Sequence, residues 1–308
     1  MGRNSPHPTS ISYRTLSWSK WRTYRSLIKN NGHNLTEELC QAIRGATRCL
    51  RLKVFSLSSQ KILRELACKA TSDVSVWIHY QRIKESEELQ TLNQNPFVYL
   101  HPNTKTHANL LHKKELIVDN LTAFIGTANF TQQSLNNDIN CIIKIHSPQI
   151  CQLMKFNQSE SFVIGEQVCK YFSLYRNGPD VVSEIIYQID NAQNSINLAM
   201  FILSHPQILK ALDRAYRRGV RIKIILNSTL RKTTFDALQA MQSNIPLLEG
   251  TSCGQIHCKM CLIDEKILLM GSSNWTKKGF AMNTENLLML ENLSPKQKSV
   301  YLLSGIIC

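Results

Sequence analysis

The sequence predicts an α/β fold made of two similar halves of one chain of 308 residues. Three observations lead to this prediction. A motif of histidine, any residue and lysine occurs twice, at His112 and at His257, 145 positions apart. The segments before the two motifs also match, since 54–66 aligns with 200–212 at a separation of 146. Strand-like and helix-like patterns alternate along the chain, which is typical of α/β proteins.

The second half shows this alternation most clearly. An amphipathic pattern predicts a helix over 183–193, and an apolar strand follows at 195–203. A second helix over 205–219 ends at Gly219, a residue type that commonly closes helices. A strand at 220–227 and a helix over 232–242 then lead into the hairpin that carries the motif. Because strands and helices alternate, we expect a largely parallel sheet with helices on both faces.

Each motif continues with an aspartate and then with a Gly-Ser/Thr-x-Asn turn. The first copy contains His112, Lys114, Asp119, Gly126, Thr127 and Asn129, and the second contains His257, Lys259, Asp264, Gly271, Ser272 and Asn274. Alternate side chains of a strand point to the same face, so each histidine and its lysine converge on one point. Two neighbouring cations indicate an anion site, since unsolvated like charges repel each other.

This duplicated motif resembles the signature of the phospholipase D superfamily. The resemblance extends over 35–291 and implies a duplicated α/β/α sandwich, in which two halves related by a pseudo-twofold axis share one active site. We therefore expect a basic, aromatic arm at 1–34, a first repeat at 35–172 and a second repeat at 173–308. The turn-like segment 173–180, which contains Asn-Gly-Pro, would join the repeats.

The resemblance also implies phosphodiester chemistry through a covalent phosphohistidine. The catalytic residues would be His112, Lys114, His257 and Lys259. One imidazole would attack phosphorus, and the other would protonate the leaving oxygen and then activate water or an alcohol. The ammonium groups would neutralise the charge of the transition state, so this chemistry needs no metal ion and no cofactor. Further phosphate-binding donors would be Thr127, Asn129, Ser272 and Asn274.

Acidic residues near the motifs are expected to support the site. Asp119 and Asp264 fall where each motif hairpin turns, and we interpret them mainly as structural residues. At the separation of the two motifs, Glu285 of the second half corresponds to Asn140 of the first, and Asp138 lies two residues before Asn140.

Members of the superfamily usually carry, near Glu285, an acid that bonds to the histidine of its own motif. We therefore expect Glu285 to bond to His257 and to raise its pKa. That contact would favour His257 as the general acid and leave His112, beside an amide, as the neutral nucleophile.

The charge of the chain indicates an anionic partner. Lysine and arginine number 36 against 22 acidic residues, a formal net charge of +14. Such a balance favours a phospholipid or membrane surface, or nucleic acid as the alternative substrate, although a basic protein can also be merely soluble. No apolar run is long enough for a membrane-spanning helix, and no hydrophobic signal-peptide core occurs at the N-terminus.

Both motifs lie in one chain, so the active site does not require an oligomer. A degenerate family member that serves as a scaffold is a third hypothesis. The survival of both histidines and both lysines argues against it.

The ten cysteines are interpreted as small core residues in a reducing compartment. This interpretation covers Cys40, Cys49, Cys68 and Cys141, which lie in apolar segments. Cys258 and Cys261 would point to opposite faces of a strand, which argues against a zinc site.

The first 36 residues contain no acidic side chain. Read as a helix, this segment places Trp18, Trp21, Tyr24 and Ile28 near one face, as an interfacial membrane helix does. A targeting presequence, or an arm packed on the catalytic core, would have the same composition.

Overall fold

The computed structural model describes residues 24–28, 32–104, 109–249 and 254–302, and these form two sheets. The first sheet has seven strands in the spatial order β1 (Tyr24–Ile28), β7 (Cys141–His146), β6 (Thr122–Gly126), β5 (Lys114–Val118), β2 (Cys49–Leu57), β3 (Ser75–Ile83) and β4 (Val98–Pro102). The second has eight, in the order β12 (Leu247–Glu249), β11 (Arg221–Leu226), β10 (Ser195–Met200), β13 (Lys259–Ile263), β14 (Ile267–Gly271), β15 (Glu285–Leu290), β9 (Gln167–Leu174) and β8 (Glu160–Ile164).

Helices connect these strands in both repeats. The first repeat contributes α1 (Leu35–Arg44), α2 (Gln60–Ala70), α3 (Glu87–Asn93), α4 (Gln132–Asn136) and α5 (Pro148–Phe156). The second contributes α6 (Val181–Asp190), α7 (Pro206–Arg217), α8 (Arg231–Ala240), α9 (Lys277–Ala281) and α10 (Pro295–Leu302). Helix α7 buries Ile208, Leu209 and Leu212 along one face, and Gly219 follows its end with φ of 90°. None of the described helices is both long and apolar enough to cross a membrane.

The expectation of a largely parallel sheet is wrong. Parallel pairing joins β2 to β3 and β3 to β4 in the first sheet, and β10 to β11 and β11 to β12 in the second. The remaining pairs of named strands are antiparallel. The physical reason is the length of the connections. Helical crossovers occupy the beginning of each repeat, whereas the motif strands follow one another through short turns, which only antiparallel strands allow.

The two sheets pack against each other, and helices cover their outer sides. Leu39 of α1 and Leu63 of α2 share a buried cluster with Leu52 of β2. Ile125 of β6 and Met270 of β14 share another buried cluster, which contains residues of both repeats. Helix α5 also contributes to this second cluster, so it lies on the inner face of the first sheet, opposite α1 and α2. The duplicated α/β architecture is as predicted, and the first sheet has helices on both faces, as expected.

The predicted domain limits differ from the observed sheets at two places. Strands β8 and β9 belong to the second sheet, although most of their residues precede position 173. Strand β1, predicted as part of a helical arm, pairs antiparallel with β7 of the first sheet. Ile28 is fully buried there, so sheet pairing and burial override the helical pattern. Trp18 and Trp21 lie outside the described residues.

The cysteines of the described residues are free thiols. Cys258 and Cys261 lie in different buried clusters, on opposite sides of their sheet, as the strand pattern predicts. Cys68 on α2 is exposed, which corrects its interpretation as a core residue.

Candidate active site

The two histidines are held where the repeats meet. Lys114 and Lys259 are the first residues of β5 and β13, and each motif histidine, His112 or His257, lies two residues earlier. The backbone N–H of His112 donates to the carbonyl oxygen of Thr284 at 2.8 Å, and that of His257 donates to the carbonyl oxygen of Ile139 at 3.0 Å. Each histidine is therefore fixed by a backbone bond to the opposite repeat.

Glu285 contacts His112, not His257. Its two carboxylate oxygens lie 2.8 and 2.9 Å from Nδ1 of His112, and the Glu285 side chain is fully buried. The expected bond between Glu285 and the histidine of its own motif is therefore wrong. The reason is tertiary: the start of β15 faces the first motif across the repeat interface, a proximity that spacing along the chain does not reveal.

The contact with Glu285 determines which nitrogen of the His112 ring carries the proton. His112 and the buried lysines favour the charged carboxylate and hold the pKa of Glu285 below its usual value, despite burial. An ionised carboxylate only accepts hydrogen bonds, so Nδ1 carries the proton and Nε2 keeps its lone pair. Burial lowers the pKa of His112, although Glu285 acts in the opposite direction. The lowered pKa favours the neutral imidazole, in which Nε2 keeps its lone pair.

His257 has neutral partners. Its Nδ1 lies 3.0 Å from the carbonyl oxygen of Thr127 and 3.1 Å from Oδ1 of Asn140. Asn140 is oriented by its amide group, which donates to the carbonyl oxygen of Ser134 at 2.8 Å. Burial, Lys259 and Lys114 lower the pKa of His257 well below its usual value. The two repeats thus give similar histidines a carboxylate partner in one case and an amide partner in the other.

The hydroxyl groups of the two turns hold these partners. Thr127 Oγ1 donates to Asn140 at 2.7 Å, and Ser272 Oγ donates to Glu285 at 2.5 Å. Both side chains are fully buried. Their hydroxyl protons are already used in these hydrogen bonds, so their predicted role as direct phosphate ligands is corrected.

Asn129 and Asn274 remain available at the site. Their Oδ1 atoms are buried without a hydrogen-bond partner among the described residues. These oxygen atoms can accept a hydrogen bond, whereas a phosphoryl oxygen needs a donor such as the Nδ2 groups of the same amides.

Both motif lysines are buried. Lys114 Nζ donates to the carbonyl oxygen of His112 at 2.5 Å, and Lys259 Nζ donates to that of His257 at 2.6 Å. Burial lowers the pKa of Lys114 to about 7, and burial together with Lys114 lowers the pKa of Lys259 well below its usual value. Because each lysine depresses the protonation of groups in the other repeat, the two motifs form one electrostatic unit.

Two phenylalanines that motif spacing did not single out complete the site. Phe55 packs edge-on against His112 with ring centroids 4.9 Å apart, and Phe201 lies 4.8 Å from His257. Lys114 Nζ lies 5.4 Å from the Phe55 ring, and Lys259 Nζ lies 4.9 Å from the Phe201 ring. Phe55 and Phe201 are equivalent residues of the two repeats. Their matched positions in the aligned flanking segments were the signal that would have found them.

The motif aspartates lie at the hairpin turns, where their carboxylates accept hydrogen bonds from backbone N–H groups. Asp119 accepts hydrogen bonds from the N–H groups of Thr47, Arg48 and Cys49 at 2.7–2.9 Å. Asp264 accepts from the N–H groups of residues 193, 194 and 195 at 2.7–2.8 Å. The structure therefore places both where the structural interpretation expects them.

Asp138 is buried and accepts a bond from Gln133 Nε2 at 3.0 Å, without a hydrogen bond to either histidine. Among the described residues, no group of three or more histidine, cysteine, aspartate or glutamate side chains is arranged to hold a metal ion.

These contacts create one buried pocket that is lined by basic side chains. It offers one imidazole with a carboxylate behind it, a second imidazole with an amide behind it, and ammonium groups beside both. Such an arrangement stabilises a phosphoryl group that gains negative charge in a transition state.

Comparison with known proteins assigns the chain to a family. Residues 39–158 and 185–300 match the family described as "Cardiolipin synthase, PLD-like domain". The chain therefore belongs to this phospholipase D-like family, as the doubled motif predicts.

Similar proteins include two curated relatives. The chain is 30% identical over 111 residues to "Mitochondrial cardiolipin hydrolase" of Xenopus laevis, covering 36% of this chain and 53% of that protein. It is 30% identical over 146 residues to "Phospholipase D" of Rickettsia prowazekii (strain Madrid E), covering 44% of this chain and 71% of that protein. It thus spans about half the length of the cardiolipin hydrolases it matches.

A solved structure has the same fold over most of the chain. The phosphatidylserine synthase of Haemophilus influenzae Rd KW20 matches with a TM-score of 0.68, covering 91% of this chain and 84% of that one. At 14% sequence identity this likeness shows the fold alone. The duplicated α/β fold predicted from the sequence is confirmed.

Proposed function

We propose that the protein is a phosphodiesterase of phospholipase D type, which cleaves or transfers phospholipid phosphodiesters through a phosphohistidine. The single observation that carries this proposal is the asymmetric pair of histidines at one buried cationic pocket. One imidazole is prepared to attack, and the other is prepared to exchange a proton.

His112 is the nucleophile in this proposal. Its Nε2 lone pair attacks phosphorus, and the bond from phosphorus to the leaving oxygen breaks. The imidazole then carries a positive charge, which the Glu285 carboxylate at 2.8 Å stabilises. His257 is less suited to be the nucleophile, because the amide oxygen of Asn140 stabilises a charged imidazole much less than a carboxylate does. His112 therefore keeps its expected role as nucleophile and His257 its role as general acid. The reason is now the contact between Glu285 and His112.

His257 is the proton carrier in the same proposal. The anionic phosphodiester, bound beside it, offsets the two ammonium charges and raises the pKa of the ring, so that Nε2 is protonated in the complex. Nε2–H then donates its proton to the leaving oxygen. In the second step the neutral ring accepts a proton from water or an alcohol, whose oxygen attacks phosphorus as the bond to His112 breaks.

The lysines and asparagines bind the phosphoryl oxygens. Lys114 and Lys259 supply the ammonium groups, while the amides of Asn129 and Asn274 supply hydrogen bonds. No step of this scheme needs a metal ion.

A phospholipid is the preferred substrate, because the family description and the names of the curated relatives concern phospholipid chemistry. The net charge of +14 supports nucleic acid as the second candidate. The reaction chemistry is the same for both.

The test is turnover of the full chain with EDTA on vesicles of phosphatidylcholine, phosphatidylglycerol or cardiolipin, beside single-stranded and duplex DNA. His112→Asn and His257→Asn remove the proposed chemistry, and His146→Asn, on the exposed end of β7, is the matched control. Head-group or lipid-product release by wild type and His146→Asn alone supports the proposal, and added alcohol separates transfer from hydrolysis. Cleavage of DNA without lipid turnover would show that the protein is a nuclease. Loss of activity in EDTA that returns with a divalent ion contradicts the metal-independent scheme.

A further inference from the structure

A second cavity lies on the first sheet, away from the histidine pair. Its volume is about 210 Å³, and none of the four catalytic residues proposed above lines it. Its walls come from neighbouring strands and from α5, and the residues that matter here are Arg51, Lys53, Trp77, His79, His101 and Lys155. We call this cavity the Arg51 groove.

The Arg51 groove is basic and its cations are largely unpaired. Glu115 is its one acidic lining residue. That carboxylate already accepts bonds from the Tyr171 hydroxyl at 2.5 Å and from the Asn286 amide at 2.7 Å. Lys53 is also engaged, since its Nζ lies 2.5 Å from the carbonyl oxygen of Met154 at the end of α5.

The other basic side chains of the groove keep their donors. Arg51, His79, His101 and Lys155 make no side-chain hydrogen bond or ion pair with another described residue. Glu115, whose buried Oε2 has no hydrogen-bond partner among the described residues, is the one lining carboxylate that offsets these basic groups.

Arg51 is the most informative of these groups. Its guanidinium carbon lies 3.7 Å from the centre of the Trp77 ring, and Trp77 stacks on Tyr99 with ring centroids 5.2 Å apart. The Nε atom of Arg51 is buried and has no hydrogen-bond partner among the described residues. Leaving a buried donor unsatisfied is costly, so Nε keeps hydrogen-bonding capacity that a ligand can use. A guanidinium held flat on an aromatic ring is well suited to a phosphate group.

The duplication shows that this polarity is not required by the fold. Lys53 pairs with His79 across β2 and β3, and the equivalent pair across β10 and β11 is Ala199 with Ile225. Ala199 and Ile225 belong to the buried apolar cluster between the sheets. The first repeat thus has basic side chains at two positions where the second has apolar ones, and Arg51 corresponds to Asn197. Lys53 has a structural role, because its ammonium group caps the end of α5, whereas His79 makes no hydrogen bond or ion pair with another described residue.

We propose that the Arg51 groove is a second anion site, which binds the phosphate group of a small ligand, either a lipid head group or a free phosphate ester. Arg51 and His101 supply the principal donors, and Lys155 supplies an ammonium group. The size of the groove favours a small ligand. A cavity of about 210 Å³ is of a size for a phosphate with a few further heavy atoms.

The test is isothermal titration calorimetry of the full chain with inorganic phosphate and with glycerol 3-phosphate, in a phosphate-free buffer. Arg51→Gln is the main variant, and His101→Gln, at an exposed position, is the second variant in case the first folds poorly. Lys223→Gln is the matched control, because Lys223 is exposed on β11 at the position equivalent to Trp77 and its loss changes the net charge equally. Vesicles with an anionic head group form a separate arm that distinguishes lipid from free phosphate.

We expect Arg51→Gln to weaken phosphate binding at least about tenfold, since a charge-assisted hydrogen bond is removed. His101→Gln should weaken it less, and Lys223→Gln should leave it unchanged. Turnover of a soluble phosphodiester should persist in all three variants, so a failure here is separate from a failure of the proposed function. The proposal is overturned if phosphate binding is unchanged in Arg51→Gln and His101→Gln but is lost in Lys114→Met, because the catalytic pocket would then account for the anion binding.

Discussion

Replacing Glu285 by glutamine tests the proposed division of labour between the histidines. Glutamine has nearly the same shape and can still accept a bond from Nδ1 of His112, but it carries no charge. The phosphohistidine is a cation only 2.8 Å from the carboxylate in the wild-type protein. Coulomb's law at an effective dielectric constant of about 20 gives an attraction of about 6 kcal/mol at this separation, which is an upper limit.

The surviving hydrogen bond reduces this loss. We expect Glu285→Gln to slow formation of the covalent intermediate by about 10²–10⁴-fold, the size of effect that follows removal of the aspartate charge behind a catalytic histidine. Substrate binding should change less than the chemical step, because the charge on His112 develops only as the bond to phosphorus forms.

The assay is rapid quenching of the reaction with a phosphodiester that has an activated leaving group, followed by mass spectrometry to locate the phosphohistidine. Asn140→Asp is the matched control, since it places a carboxylate behind His257 instead. Because an activated leaving group needs little protonation, this control should form the intermediate at His112 within about tenfold of the wild-type rate. The reasoning is refuted if Glu285→Gln forms the intermediate at nearly the wild-type rate, or if the phosphoryl group is found on His257.

Three further predictions concern the lysines and the hairpin turn. The pKa of Lys114, about 7, predicts that kcat/KM falls above neutral pH as the ammonium loses its proton, and Lys114→Arg should move this alkaline limb upward; an unmoved limb would assign it to another group. Lys259→Met should abolish turnover yet raise the midpoint of urea unfolding, because burial disfavours the ammonium, as its lowered pKa indicates; a lower midpoint would show that the ammonium stabilises the pocket. Asp264→Asn should destabilise the protein by about 1–3 kcal/mol at neutral pH, since three backbone N–H groups lose a charged acceptor. These hydrogen bonds lower the pKa of Asp264, so the stability they add is present above its usual value of 3.8 and is lost as pH falls through the folded-state pKa. The difference from Asp264→Asn, measured by thermal unfolding, should therefore shrink in acid, and a constant difference would contradict the assignment.

Periodicity and spacing are local properties, and they were sufficient for much of the fold. Helix α7 and strands β10, β13 and β14 lie where apolar periods place them. The matched separations between copies predicted two equivalent units with the motif residues at equivalent positions. Strand pairing was predicted less well, because the sequence does not state whether a strand returns through a helix or a short turn. Strand β1 was read as helical for a similar reason, since its burial depends on β7, more than a hundred residues away.

The sequence by itself determined the family, the duplication and the identity of the histidines and lysines, because these follow from residue types at fixed spacings. The tertiary structure decided which groups stand behind each histidine. Glu285 lies 173 residues from His112 along the chain, and their contact exists only because the repeats pack face to face. In the same folded structure, the Thr127 and Ser272 hydroxyls hold the partners of the two histidines. It also places Phe55 and Phe201 against the imidazole rings. Spacing predicts which side chains a strand presents, but contacts across an interface depend on how two surfaces fit together.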